Sequence, residues 1–133
     1  MTFDESRSVT DIFTQILEEM NQEGDFLASV LTDENGLPIV FAAREGFDSD
    51  RQSATVAMVK KTISQNEKRL GIAQAEEISI VDSNGQLLIC RAFSAKKHDF
   101  ILAVLMADRQ HTYRRITAHA INQISSVWAK HWK

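Results

Sequence analysis

The sequence predicts an α+β domain with the element order α-β-β-α-β-β-β-α. Three segments repeat apolar residues at the spacing of one helical face, and five short apolar runs have the length of β-strands. The chain has 133 residues, one proline and no Gly/Ser/Pro-rich stretch, so a single domain spanning residues 1–133 is expected.

Three helices are predicted, over about residues 9–22, 50–70 and 112–133. The tetrads Ser8–Asp11 and Ser49–Gln52 resemble capping boxes, which satisfy the free N–H groups of a first helical turn. Gly24 and Gly71 are expected to end the first two helices, because glycine readily adopts the left-handed conformation common at helix ends. Residues 1–8 are expected to form a flexible N-terminal segment.

The predicted strands are Phe26–Thr32, Leu37–Ala43, Glu77–Val81, Leu87–Phe93 and Phe100–Met106. The Asn35-Gly36 and Asn84-Gly85 pairs indicate tight turns, so the first two strands form a hairpin and the last three a meander. Ser94–Asp99 is interpreted as a polar loop. The continuous apolar run of the last strand is typical of a strand covered on both faces, which places it centrally in the sheet.

Composition favours a protein of a reducing compartment. Cys90 is the only cysteine, so neither an intrachain disulfide nor a cysteine-based zinc cluster is expected. The N-terminus is acidic, unlike a signal peptide, and the longest apolar run, Phe100 to Ala107, is far shorter than the roughly 20 residues of a membrane helix. We therefore expect a cytoplasmic protein with no membrane insertion.

The net charge of −3 is the sum of two opposed parts of the chain. Residues 1–50 hold 12 acids and 2 bases, a net of −10, whereas residues 51–133 hold 6 acids and 13 bases, a net of +7. Since the basic part begins with the second helix, a partner that docks on this helix is expected to present acidic residues.

The sequence shows none of the spacing motifs that would indicate an enzyme, such as GxGxxG, a Walker A loop, HExxH or GxSxG. The histidines are not spaced as metal ligands, and Cys90 lies in an apolar strand, where a thiol behaves as a small hydrophobe. We expect no catalytic residue, no cofactor and no metal. The four histidines are His98, His111, His119 and His131.

Basic residues come in pairs, but nucleic-acid binding is not expected. No helix-turn-helix, RNA-binding aromatic strand or OB-fold pattern accompanies the pairs, and the pI of the chain is about 5.8. The pairs are instead expected to lie on solvated helix faces. The pairs are Lys60-Lys61, Lys68-Arg69, Lys96-Lys97 and Arg114-Arg115.

The second helix has an unusual outward side. If Val56, Val59 and Ile63 face the sheet, the 100° step between residues turns Ala54 and Met58 away from the core. A methionine beside a small alanine suits close contact with another helix. A single exposed methionine without a partner is the alternative.

The segment Gly24–Leu37 resembles the first hairpin of the Roadblock (dynein light-chain) family, and Leu102–Met106 resembles the last strand of that family. The resemblance implies a profilin-like sandwich, in which a five-stranded antiparallel sheet has helices on both faces. The long C-terminal helix is more similar to prokaryotic single-domain members than to the short dynein-associated ones.

Proteins of this family act as non-catalytic regulators and scaffolds of small Ras-like GTPases, so the resemblance implies a homodimer with a GTPase partner. The second helix and the third strand typically pair across the dimer. Carried over by position, the dimer contacts fall on Ala54, Met58, Thr62, Ile78, Ser79 and Ile80.

Two other functions remain open. A profilin-like sensory domain would enclose a small ligand in a pocket. A structural subunit of a larger assembly would dock through Trp128 and Trp132, because aromatic side chains are favoured at interface hot spots.

Overall fold

In the described part of the chain, three helices and five strands follow one another in the predicted order α-β-β-α-β-β-β-α. The computed structural model describes residues 7–71, 73 and 76–131, without the side chains of Ser49, Gln52, Ser53, Thr62, Ile63 and Asn66. None of the described helices has an apolar stretch that could cross a bilayer. The elements are α1 (Val9–Gly24), β1 (Ala28–Asp33), β2 (Pro38–Ala43), α2 (Ser49–Leu70), β3 (Glu77–Val81), β4 (Leu87–Ala95), β5 (His98–Met106) and α3 (Arg114–His131).

The strands form one antiparallel sheet in the order β2-β1-β5-β4-β3. The central position of β5 confirms the interpretation of its continuous apolar sequence, and Phe100 to Val104 are almost completely buried. Strands β2 and β3 form the two edges of the sheet.

The helices cover both faces of the sheet, as the resemblance implies. On one face, α1 and α3 pack over a core that contains Phe13, Leu17, Leu102 and Ile124. On the other face, α2 inserts Val56 into a smaller core. The described residues of this second core are Val30, Val56, Cys90, Ile101 and Ala103, with Phe41, Ile78 and Leu88 packed against them.

The first turns of α1 and α2 are capped by side chains. Ser8 Oγ accepts a hydrogen bond from the N–H of Asp11 at 3.1 Å, so the first predicted cap is confirmed and Ser8 belongs to the helix cap. Residues 1–6 of the predicted flexible segment lie outside the described residues. The second predicted cap is wrong by one residue, because Asp48 caps α2 and accepts from the N–H groups of Asp50 and Arg51.

Helix α1 does not end in the predicted way. Asp25, with φ of 54°, takes the left-handed position, and its N–H donates to the carbonyl of Asn21. Gly24 is required for a different reason, since a β-carbon there would lie 2.4 Å from the ring of Phe26. Gly71, with φ of 68°, ends α2 as predicted.

The predicted polar loop Ser94–Asp99 is wrong. Strand β4 continues to Ala95 and β5 begins at His98, so only Lys96 and Lys97 connect them. Both lysines have positive φ, of 51° and 67°, in a tight two-residue turn. The sequence pattern missed this turn because it contains neither glycine nor asparagine.

Candidate dimer and partner interface

Helix α2 is held over the β1–β2 hairpin at its N-terminal half. Val56 is buried against the sheet, and Ala57 lies on the hairpin turn at Gly36. Gly36 has φ of 83°, a conformation that favours glycine, and a β-carbon on it would come within 2.6 Å of the Ala57 Cα. The register of the turn therefore determines where α2 crosses the sheet.

The outward side of α2 is exposed, as its periodicity predicts. Ala54 is exposed, and 70% of the Met58 side chain is accessible, opposite the buried Val56. Thr62 lies in α2, but its side chain is outside the described part of the chain. Leu70 is exposed to the same degree as Met58 and was not among the predicted contacts.

Strand β3 has a row of backbone groups that face away from the sheet. The carbonyl of Glu76 accepts from the N–H of Ala92, and the N–H of Asp82 donates to the carbonyl of Gln86. In an antiparallel ladder these hydrogen-bonded positions alternate, so the even-numbered residues between them face β4. The N–H and C=O groups of Glu77, Ser79 and Val81 consequently point outward at the edge.

The side chains of β3 are only partly covered. Ile78 is half-buried against the core under α2, and Ile80, on the same face, is 41% exposed. Ser79 is exposed, and so is Val81, which was not among the predicted contacts although it continues the same strand. The uncovered apolar side chains and the outward backbone groups thus lie on one strand.

The enclosed crevice beneath α2 at Val56, Val59 and Glu67 is too small for a metabolite. It lies between Val59 and Glu67 of α2 and Ile78 and Cys90 of the sheet, and it has about 10 Å³ of free volume. That volume suits at most one water molecule. This crevice offers no support for the sensory-domain alternative.

The accessible part of α2 is basic towards its C-terminus. Lys61, Lys68 and Arg69 are exposed, and the last two also complement the negative end of the helix dipole. Glu67 is turned into the crevice instead. The basic part of the sequence therefore begins at the surface that holds Met58.

A charged cluster joins three loops at the end of the sheet opposite the Lys96-Lys97 turn. His111 Nδ1 lies 2.9 Å from Asp108 Oδ1, and its Nε2 lies 3.1 Å from Asp25 Oδ2. Asp25 also pairs with Arg44, in the loop that leads to α2. The carboxylates of Asp108 and Asp25 raise the pKa of His111. The pKa of Asp25 is lowered, mainly by Arg44 and also by His111. The pKa of Asp108 is lowered by His111.

The described residues show little reactive chemistry. Burial raises the pKa of the Cys90 thiol to about 12, so the thiol stays protonated. No group of three or more His, Cys, Asp or Glu side chains among the described residues is placed to hold a metal ion. Trp128 is half-buried, with its ring 5.3 Å from that of Phe100, so it contributes to the core; Trp132 lies outside the described residues.

This arrangement of helices and sheet defines the fold of Roadblock/LC7 domains. A Roadblock/LC7 domain from Streptomyces avermitilis superposes with a TM-score of 0.62 at 17% sequence identity, over 90% of this chain and 98% of that chain. The resemblance predicted from the sequence is therefore confirmed for the fold, including the five-stranded sheet.

Two solved structures of MglB have the same fold over nearly the whole chain. MglB of Myxococcus xanthus superposes with a TM-score of 0.69 at 14% identity, covering 99% of this chain and 93% of its own. The gliding protein MglB of Thermus thermophilus gives 0.66 at 16% identity, covering 93% of this chain and 90% of its own. No protein-family model and no curated protein matches the sequence.

Proposed function

We propose that this protein is a homodimeric, non-enzymatic interaction module that binds and regulates a small Ras-like GTPase. The observation that carries the proposal is the combination of an exposed Met58 on α2 with the outer edge of β3, which pairs with no other strand among the described residues. Both features occupy positions at which Roadblock-type protomers are expected to pair.

The edge of β3 favours a second copy of this chain as its partner. An exposed strand edge with apolar side chains promotes association unless charges, proline or bulges protect it, and Ser79, Ile80 and Val81 provide none of these. A second β3 would add hydrogen bonds to the outward backbone groups. It would also remove the exposed surface of Ile80 from water, which contributes about 25 cal/mol per Å².

A two-fold axis at Ser79 gives the register that suits the residues best. Only the odd-numbered residues of β3 present outward backbone groups, so the strands hydrogen-bond through Glu77, Ser79 and Val81. With Ser79 opposite its own copy, Ile78 of one chain lies opposite Ile80 of the other. Both isoleucines then lie in close, non-hydrogen-bonded pairs on the face that α2 covers.

In such a dimer the two α2 helices lie side by side over a continuous sheet. Ala54 permits close approach of the helix backbones, and Met58 fills the space between them. The exposed Lys61, Lys68 and Arg69 then flank this helix pair. A GTPase that docks there is expected to present acidic side chains.

The Roadblock resemblance of the sequence supports a GTPase as the partner, and the fold shared with MglB is the one that this resemblance implies. Regulation requires that the dimer contact the switch loops of the GTPase differently in its GDP-bound and GTP-bound states. A dimer with equal affinity for both states would not change the equilibrium between them. The nucleotide chemistry then belongs to the GTPase.

Dimer formation is tested by Met58→Glu, which places two like charges at the helix pair. Light scattering should show a dimer for the wild type and for the control Met58→Leu, and a monomer for Met58→Glu. A monomeric wild type would refute both the interface and the docking of a GTPase on the pair of α2 helices.

The register is tested by Ser79→Cys. Facing residues of a hydrogen-bonded pair are about 5.5 Å apart between Cα atoms, within the range of a disulfide, so oxidation should link two chains. Asn84→Cys, in the exposed turn after β3, is the control and should stay unlinked. Cross-linking of both variants to the same extent would contradict the register.

The GTPase step is tested with purified Ras-like GTPases of the source organism. Each is loaded with GDP or a non-hydrolysable GTP analogue, and binding to the wild type is measured by interferometry. We expect one nucleotide state to bind more tightly, and Met58→Glu to bind neither. Failure of a proven dimer to bind any of them, or to change their rates of hydrolysis or exchange, would refute regulation while leaving the dimer intact.

A further inference from the structure

The tip of the β4–β5 hairpin holds two lysines in a conformation that lysine rarely adopts. Lys96 and Lys97 have φ of 51° and 67°, where the β-carbon is crowded by the backbone. Two other hairpin turns of the chain use glycine at positive φ, at Gly36 and Gly85. The lysine pair is therefore present at a cost to the stability of the turn.

The last turn of α3 lies beside this tip. The ring of His98 is edge-on to the indole of Trp128, with 5.4 Å between centroids, and the ring of His131 is 6.2 Å from the same indole. Lys130, in the same turn, is exposed on the other side of α3, in a groove that Glu19 and Glu23 also line, so it does not belong to this group. We refer to the group as the basic corner, which comprises Lys96, Lys97, His98 and His131.

The carboxylate next in sequence does not neutralise this corner. Asp99 accepts a hydrogen bond from the hydroxyl of Ser94 and, by strand alternation from His98, faces the α2 side of the sheet. No ion pair of Lys96 or Lys97 is found within residues 7–71, 73 and 76–131. The Asp99 carboxylate thus leaves the positive charge of the two lysines at the tip unpaired with it.

We propose that the basic corner is a docking surface for an acidic segment of another protein. Charge complementarity supports this partner, and the strained lysine pair indicates that positive charge is required at the tip. His98 and His131 of the corner lie on the α3 side of the sheet, and the corner includes neither Met58 nor any residue of β3, so the proposal is independent of the dimer surface.

An acidic polypeptide suits the corner better than other polyanions do. Nucleic acid-binding domains usually have a basic overall charge, whereas this chain has a net charge of −3. Anionic membranes typically bind larger clusters, of about four to eight Lys or Arg residues. A short run of Asp and Glu needs only a few well-placed cations.

The test replaces the lysine pair with the residues that the turn prefers. In Lys96→Asn/Lys97→Gly the melting temperature should rise, because the positive φ no longer strains the backbone. Affinity for a fluorescent polyglutamate peptide at low ionic strength, measured by polarisation, should fall roughly fivefold, since exposed pairs contribute little each. Gain of stability with loss of binding is the expected signature.

Two further variants make the result specific. Lys96→Gln/Lys97→Gln removes the charge and should lose the same affinity. Arg109→Gln/Arg115→Gln removes two exposed charges at the opposite end of α3 and should bind as the wild type does. Unchanged peptide binding in both lysine variants, or tighter binding of a DNA duplex or of phosphatidylserine vesicles than of the peptide, would overturn the proposal.

Discussion

Gly36, in the β1–β2 turn, lies against Ala57 of α2, so closely that a β-carbon on the glycine would be 2.6 Å from the alanine Cα. The turn is held by Asp33, whose Oδ1 accepts from the N–H groups of Asn35 and Leu37. Hairpin and helix therefore meet at this point with no side chain larger than the Ala57 methyl group between them. The position of α2, and hence of the proposed pair of α2 helices, depends on this contact.

Gly36→Ala should destabilise the protein more than Gly85→Ala does. Both glycines have positive φ, of 83° and 88°, and follow the same Asp-x-Asn sequence, but nothing lies within 4 Å of a β-carbon at Gly85. We expect a loss of about 1–2 kcal/mol at Gly85 from backbone strain, and a further 1–3 kcal/mol or so at Gly36 from the clash with Ala57. Urea unfolding of the two variants measures the difference, and equal losses would show that α2 moves aside freely.

Proline substitutions in β3 should distinguish the hydrogen bonds made at the outer edge of the sheet from those made to β4. Ser79→Pro removes an outward N–H group, so the ladder to β4 stays intact while edge pairing is blocked. Ile80→Pro removes an N–H group that faces β4 and should cost at least about 1 kcal/mol more in unfolding free energy. We expect light scattering to show a folded monomer for Ser79→Pro; a stable dimer of this variant would contradict pairing through β3.

The stability of the fold should depend on pH through His111. Its pKa is raised by Asp108 and Asp25, so the protonated ring stabilises the fold below its ordinary pKa of about 6.5, and this contribution is lost as the pH rises through the raised value. The pKa values of the two carboxyl groups are lowered, so their contribution is present above about 3.8 and is lost as the pH falls through the lowered values.

His111→Gln should accordingly lower the melting temperature more at about pH 5.5 than at about pH 8.5. Calorimetry at the two pH values measures this difference. His119→Gln, at an exposed position of α3, is the control and should show the same small effect at both. A pH-independent effect of His111→Gln would mean that its charge contributes nothing to the joined loops.

Cys90 should react with alkylating reagents only when the protein unfolds. With a pKa of about 12, roughly one thiol in ten thousand is ionised at pH 8, and the side chain is only 3% exposed. Iodoacetamide labelling followed by mass spectrometry should be slow for the native protein and fast in denaturant. Equal rates in the two conditions would place Cys90 outside the core.

The sequence predicts the helices and strands of this fold better than it predicts where they end and how they are connected. The apolar run of β5 indicates its central position because a buried strand needs apolar residues on both faces. The choice between Asp48 and Ser49 as the cap of α2 depends on backbone angles that neither residue type determines alone. The Lys96-Lys97 turn was missed because its conformation contradicts the preference of lysine.

The candidate site was predictable only in part. Periodicity alone predicts that Met58 faces away from the sheet, since the rotation of 100° per residue in an α-helix does not depend on the rest of the fold. The free edge of β3 follows from the strand order, which the sequence pattern does not contain: it results from the pairing of β1 with β5, two segments far apart along the chain. Val81 was not predicted because the contacts carried over from the family resemblance end at Ile80.

The pairing of β1 with β5 also has a kinetic consequence. The other three strand pairings join consecutive strands through short turns, whereas β1 and β5 are separated by the whole segment from Asp33 to His98. Local hairpins form within microseconds, but closing a long loop is entropically unfavourable. Joining the β1–β2 hairpin to the β3–β4–β5 meander is thus expected to limit the folding rate, and until it occurs both halves have apolar strands exposed to aggregation.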